Sequence, residues 1–480
     1  MAERLNRRDL LKSLGAAAVA LPGCAGAMRQ RADAPLAEQA APDDGGNLPK
    51  PLPRQAAWQD YELGLVYHFD LDVYMPGGHH HERSRREQLD MNLYNPAKLD
   101  TDQWLSAATA MGARYAVLTA THHTGFLQWQ SDAYDYGLKQ CRWGGAKADL
   151  VKDFIESCRK VGVAPGIYLG IRFNAHWQVY GYKMNGGKGG DEAKRKQYMR
   201  VCEKMVEELC TRYGPLCEMW FDGGVISPEQ GGPDLVPIAS KHQPNMVFYH
   251  SPDRAEHRWA GSETGTAAYP CWATMPSVAG QMRGHGRDPK HRKILMHGDP
   301  DGAVWCPAMA DAPIREHDWL WVPNHENRVQ PLDRLLGMYE KSVGRNANLI
   351  LGAVPDSDGL IPEPDFKRYA EFGKASRRRF GKPLARTEGA GLTVELRLPR
   401  PARVDCVCVM EDITRGERVR EYVVEGLTGG DTWQALGSGT SVGHKRIQRF
   451  GPVEVAAVRF RATRAAATPR IRQLAAYLVG

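Results

Sequence analysis

Arg114-Tyr115-Ala116-Val117-Leu118-Thr119-Ala120-Thr121 is an apolar run rich in strand formers, and from Asp149 to Lys160 the chain turns to helical spacing of its apolar positions. The unit repeats. Val163 to Gly170 precedes a helical stretch at Glu192 to Arg212, and Leu216 to Asp222 precedes another at Leu235 to Lys241. Upstream, Leu63-Gly64-Leu65-Val66-Tyr67-His68 precedes Leu99 to Ala110 in the same way. Strands this continuous in apolar residues need cover on both faces, so the alternation predicts a parallel sheet wrapped by helices. Weaker strand candidates lie at Met246 to Tyr249, Lys293-Ile294-Leu295-Met296 and Asn348 to Leu351, with late helices at Leu332 to Val343 and Asp365 to Arg378. The count approaches eight, and residues 58–381 read as an α/β (β/α)8 barrel of the TIM type.

After Gly381 the period changes to two. Leu392 to Leu396, Val404 to Val409, Tyr422 to Glu425 and Val455 to Phe460 alternate apolar with polar residues between turn signals, which predicts a small β-sandwich over 382–480. At the other end, Asn6-Arg7-Arg8-Asp9-Leu10-Leu11-Lys12 followed by apolar Leu14 to Leu21 is a twin-arginine export pattern, assigned to residues 1–27. Leu21-Pro22-Gly23-Cys24 resembles a bacterial lipobox, in which Cys24 would carry the lipid, while Ala25-Gly26-Ala27 offers a soluble-protein cleavage site. The expected location is therefore periplasmic or membrane-anchored. The Ala/Pro/Asp-rich stretch 28–57 reads as a flexible tether.

Composition removes whole classes of function. Apolar residues at 42% and charged residues at 25% are ordinary for a globular chain and exclude a disordered, collagenous or coiled-coil protein. The net charge of +7 is too small for this length to imply nucleic acid, and residues 376–480, with 19 Lys+Arg against 10 Asp+Glu, carry all of the excess. Ten Cys without regular CxxC pairs describe neither a disulfide framework nor a zinc ribbon.

In a barrel the chemistry sits at the carboxyl ends of the strands. The polar residues there are His68, His122 with His123, Tyr168 with Arg172, Asp222 and His250, accompanied by Phe126, Trp129, Trp177, Trp220 and Trp272. Imidazoles, a phenol, carboxylates and aromatic faces suit a sugar, whose hydroxyls need planar donors and acceptors while its C–H face stacks on rings. Cleaving a glycosidic bond takes two carboxyl groups, one ionised and one protonated. Asp222, in Trp220-Phe221-Asp222-Gly223-Gly224, is the candidate for the first, although a capping Asp at a strand-to-helix turn looks the same. Glu263, in Arg258-Trp259-Ala260-Gly261-Ser262-Glu263, is the candidate for the second, against the plainer reading of a solvated loop carboxylate.

Together with Thr121-His122-His123-Thr124-Gly125-Phe126, Gly166-Ile167-Tyr168-Leu169 and Ser342 to Leu349, these residues resemble the ordered signatures of glycoside hydrolase family 29, the retaining α-L-fucosidases. The likeness runs from about Trp58 to Gly373. Pro252-Asp253 to Gly265 further resembles the segment of the subfamily restricted to α-1,3/1,4-fucosyl linkages. The resemblance implies hydrolysis of terminal fucose from oligosaccharides or polysaccharides by double displacement. Asp222 would be the nucleophile and Glu263 the acid/base; His68, His122, His123, Tyr168, Trp220, Phe126, Trp129 and Arg258 would contact substrate; no metal or cofactor would be required.

Five positions depart from the family pattern: Thr124 replaces an Asp after the two histidines, Ser262 replaces Asn or Asp before the acid/base, Met309 replaces a Glu in Trp305 to Asp311, and Phe69-Asp70 replaces Trp-Gly after His68. Both central carboxylates survive, so the expectation is altered substrate preference with catalysis kept. The stretch Pro76 to Arg86, with His79-His80-His81, reads as a solvated loop or an outer subsite for an acidic glycan. Two rival readings are a metal-dependent hydrolase using His68, His122, His123 and Asp222, and a carbohydrate-binding barrel without turnover. Against the first, neighbouring residues on a strand face opposite ways.

Overall fold

Eight parallel strands form the central sheet of the computed structural model: β1 (Leu63–Tyr67), β2 (Tyr115–Thr121), β3 (Ala164–Leu169), β4 (Glu218–Trp220), β5 (Val247–Tyr249), β6 (Arg258–Trp259), β7 (Ala308–Pro313) and β8 (Ala347–Ala353). The structure describes residues 45–145, 147–278 and 288–480, so the twin-arginine segment, Cys24 and residues 28–44 of the expected tether lie outside the described residues. The sheet order is β5-β4-β3-β2-β1-β8-β7-β6, a barrel whose one seam falls between β5 and β6. Glu256 bridges that seam. Its backbone N–H donates to Phe248 O at 3.1 Å and its carboxylate accepts from Phe248 N–H at 2.8 Å, so a side chain supplies the partner that the strand edge lacks.

The continuous apolar character of the strands follows from cover on both sides. Leu65 and Tyr67 of β1, Ala116 and Leu118 of β2, and Leu349 and Leu351 of β8 pack outward in the main core. Val66, Tyr115, Val117, Tyr168, Trp220, Met309 and Ile350 point inward and fill the barrel. Glycine is needed at Gly64, where a Cβ would lie 2.5 Å from the Tyr115 ring. The helices wrapping the barrel are α2 (Thr101–Met111), α3 (Leu150–Lys160), α4 (Glu192–Arg212), α5 (Leu235–His242), α6 (Pro289–His297), α7 (Leu332–Lys341) and α8 (Glu363–Phe380). Ahead of them α1 (Pro53–Tyr61) begins inside the stretch expected to be a tether. Pro53 suits its first position, and Trp58 enters the barrel interior, where its indole N–H donates to Glu218 Oε2 at 2.9 Å.

Lys293 to Met296 lies in α6 and is not a strand: Pro289 opens the helix, and Asp288 caps it by accepting from Lys290 N–H at 3.0 Å. The sixth and seventh barrel strands are β6 and β7.

The carboxyl-terminal part is antiparallel: β9 (Ala385–Ala390), β10 (Thr393–Glu411), β11 (Val419–Leu427), β12 (Trp433–Gly439), β13 (Arg446–Ala465) and β14 (Arg470–Tyr477), in the order β9-β14-β10-β13-β11-β12. The two runs expected as separate strands, Leu392 to Leu396 and Val404 to Val409, belong to the single strand β10. Its register against β13 shifts between Arg397 and Ala402, where Pro399 and Pro401 have no N–H to give. Both halves of β10 reach one core with Val424, Phe460 and Leu474, so the six strands, paired as one antiparallel sheet, share a core of their own. Glu62, at the foot of β1, ties the barrel to this sheet: Lys445 Nζ lies 2.5 Å and His444 Nε2 3.0 Å from its carboxylate. Among the described residues no helix is long and apolar enough to cross a membrane.

Candidate active site

The barrel's carboxyl end opens into a cavity of about 560 Å³. Each strand delivers its side chain by ending there. His68 follows β1, and His122 and His123 follow β2, beyond its last hydrogen-bonded residue. The strand rule of opposite faces therefore does not apply to the pair: their rings lie 3.8 Å apart, and both line the cavity. Tyr168 sits 5.6 Å from His122 and 5.7 Å from His68, and Trp220 lies 5.8 Å beyond Tyr168. The imidazoles are buried, which pushes His68 down to about 3 and His122 and His123 well below the usual range. Neutral imidazoles offer one donor and one acceptor each, which suits hydroxyl groups.

Asp222 and Glu263 both face this cavity and both are exposed to it. Asp222 stands on a turn made possible by Gly223 and Gly224 at φ of +68° and +74°. Arg172 holds the turn by donating to Gly223 O at 3.1 Å, and Tyr182 by donating to Gly224 O at 2.6 Å. Burial, then the Asp222 charge and a hydrogen bond to it, push the Tyr168 phenol upward. Glu263 lies in the loop after β6 and accepts from Trp319 Nε1–H at 3.0 Å. Trp319 in turn packs 5.2 Å from His68.

A third carboxyl, Asp311 on β7, lines the same cavity from a buried position and accepts from Trp259 Nε1–H at 2.8 Å. Burial, then the charge of Glu263 and to a lesser degree that of Asp222, drive its pKa well above the usual carboxylate range. Asp222 and Glu263 are exposed whereas Asp311 is buried, and sequence reasoning placed Asp311 only inside a motif.

Of the ten residues expected at the site, seven line the cavity: His68, His122, His123, Tyr168, Trp220, Asp222 and Glu263. Three do not. Phe126 is buried between Tyr94, 5.0 Å away, and Tyr136, 5.8 Å away. Trp129 is buried with its indole N–H donated to Glu208 Oε2 at 2.9 Å. Arg258 is fully buried and donates to the backbone carbonyls of Leu295, at 2.8 Å, and Cys306, so it anchors β6 and does not reach the cavity. Conversely, His79, His80, His81 and Arg85 do line it, so of the two readings of Pro76 to Arg86, solvated loop or outer subsite, these residues fit a place in the cavity wall. His81 lies 5.3 Å from His123 ring to ring, and Arg85 sits 4.3 Å over Phe173. Two of the departures from the family pattern meet: the Thr124 hydroxyl donates to Asp70 Oδ2 at 2.7 Å, so Asp70 returns a carboxylate to the neighbourhood where Thr124 removed one.

A barrel whose carboxyl-end cavity gathers acidic groups, imidazoles and aromatic rings has the groups that cleavage of a glycosidic bond requires. The sequence profile of the alpha-L-fucosidase family matches residues 72–377. The chain is 27% identical to Alpha-L-fucosidase 1 of Arabidopsis thaliana, over 90% of this chain and 88% of that protein. A Bacteroides thetaiotaomicron crystal structure, described as a "putative alpha-L-fucosidase", superposes with a TM-score of 0.86 at 46% identity, covering 90% of this chain and 100% of that one. A glycoside hydrolase 29 family member from an unknown rumen bacterium gives a TM-score of 0.75 at 27% identity, over 90% of this chain and 78% of that one. This chain belongs to the alpha-L-fucosidase family, glycoside hydrolase family 29.

Proposed function

We propose that this alpha-L-fucosidase is a retaining enzyme that releases terminal fucose from α-1,3/1,4-linked glycans. The observation that supports this most is the placement of Asp222 and Glu263, which come from β4 and β6 and face one cavity walled by His68, His122, His123, Tyr168 and Trp220. Asp222 attacks the anomeric carbon and forms a glycosyl-enzyme while Glu263 protonates the departing oxygen; Glu263 then takes a proton from the incoming water, and configuration is retained. The imidazoles and Tyr168 hold the sugar hydroxyls, and Trp220 offers a face to the ring. The Trp319 indole orients the Glu263 carboxylate.

The linkage reading rests on the likeness of Pro252 to Gly265 to the restricted subfamily, without a substrate contact from Arg258. Two assays test these proposals. A panel of α-1,2, α-1,3, α-1,4 and α-1,6 fucosides should show turnover concentrated on the 1,3 and 1,4 members, and equal rates on all four would remove the linkage assignment. Glu263→Ala should slow substrates with poor leaving groups far more than an activated aryl fucoside; equal losses would move the acid role elsewhere, with Asp311 the next candidate. We further propose export by the twin-arginine route, to the periplasm or to a membrane anchor carried on Cys24. Exchanging Arg7 and Arg8 for Lys should leave the protein in the cytoplasm, and Cys24→Ala should release it from the membrane fraction.

A further inference from the structure

Beneath the histidine wall lies a group of side chains that hydrolysis by two carboxylates does not call for. Asp70, Asp72 and His122 are all buried, and one ligand-type atom of each lies within 4.8 Å of the others. Asp70 accepts from Leu71 N–H at 2.7 Å and from the Thr124 hydroxyl at 2.7 Å. Asp72 Oδ2 accepts from His79 Nδ1–H at 2.7 Å. That leaves Asp72 Oδ1 and His122 Nδ1 enclosed with no hydrogen-bond partner among the described residues. A buried carboxylate oxygen without a donor costs free energy, and a second buried carboxylate beside it adds repulsion. Either a shared proton or a cation resolves the conflict.

We infer that Asp70, Asp72 and His122 bind one divalent cation of the zinc class. The imidazole is a borderline donor that favours Zn2+ over harder ions, and zinc also accepts carboxylate oxygens, whereas Ca2+ asks for six to eight oxygens. His79 completes the arrangement by donating to the far oxygen of Asp72, as partners of metal-bound carboxylates commonly do. The ion's role is positional. It joins the loop carrying His79 to His81 to the end of β2 and fixes the orientation of the His122 ring at the cavity wall. It takes no part in bond cleavage.

The test reads metal content and stability, so its outcome is independent of which glycan the cavity takes. Purified protein is stripped with chelator and titrated with Zn2+, with Ca2+ in a parallel arm; bound metal is counted after gel filtration, and Tm is recorded. The expected result is one Zn2+ per chain with a rise in Tm, no rise with Ca2+, and affinity weakened by more than about tenfold in Asp72→Asn. His80→Gln, at a position of the cavity wall outside the three ligands, should keep the ion. Failure of the stripped wild type to retain Zn2+ would overturn the inference in favour of a shared proton. Equal retention by Asp72→Asn would overturn it by placing the ion on the His79-His80-His81 run. If Asp72→Asn does not fold, the zinc absorption-edge spectrum of the wild type decides: carboxylate oxygens with one or two imidazoles support the site, and three or more imidazoles refute it.

Discussion

Replacing Glu62 with Gln should loosen the joint between barrel and sandwich in a way that depends on pH. Burial alone would raise this carboxyl, but the Lys445 ammonium and a hydrogen bond from His444 outweigh it and hold Glu62 at about 2, against 4.5 for the free group. A depressed carboxylate pKa contributes stability that is fully present above the unfolded value and is lost as pH falls through the folded value. A difference of about 2.5 units at about 1.4 kcal/mol per unit gives about 3 kcal/mol at pH 7, falling to about 2 kcal/mol at pH 3.5. Leaving Lys445 without its partner adds to the loss, since both side chains are largely enclosed, at 14% and 19% exposure. The assay is urea denaturation of wild type and Glu62→Gln at both pH values, with Glu62→Gln/Lys445→Met to isolate the pair. A deficit that is the same at both pH values, or that stays below about 0.5 kcal/mol at pH 7, would refute the idea that this ion pair couples the two parts.

Two further substitutions probe the site and its frame. Trp319→Phe keeps the ring but removes the indole N–H that Glu263 Oε2 accepts, and because Glu263 is exposed the expected loss is about 1 kcal/mol, roughly fivefold in kcat/KM on substrates needing acid assistance; an activated aryl fucoside should be nearly unaffected. Gly125→Ala should destabilise the protein by several kcal/mol in thermal unfolding, because φ is +79° there and the new Cβ would run into the Asn174 side chain.

The sequence exposed those parts of the fold that physics makes redundant. Strands β1 to β3 and β8 are buried on both faces, so their apolar runs are long and plain, and the helices after β1 to β3 open on the capping residues Asp100, Asp149 and Asp191. Strand β6 has only Arg258 and Trp259, and β7 is Ala308-Met309-Ala310-Asp311-Ala312-Pro313, without a β-branched residue. Neither carries a signal separable from a loop. The run Lys293 to Met296 carried a false one, although Asp288-Pro289 before it has the form of a helix start. At the site, Asp222, Tyr168 and the histidines were legible because they close strands that were themselves legible. Asp311 was not, since it sits inside an alanine-rich strand that was itself missed. Phe126, Trp129 and Arg258 came to the site through the family resemblance; in the structure all three are buried outside the cavity lining, with the Trp129 indole on Glu208 and the Arg258 guanidinium on backbone carbonyls.

The covalent role of Asp222 can be tested in one measurement. A 2-fluoro fucosyl donor with a good leaving group slows breakdown of the glycosyl-enzyme, and mass spectrometry of the digested protein shows where the sugar is attached. The account predicts one label per chain, on the peptide that contains Trp220-Phe221-Asp222-Gly223, and none in Asp222→Ala. A label on Glu263, on Asp311 or on no residue while turnover continues would contradict it.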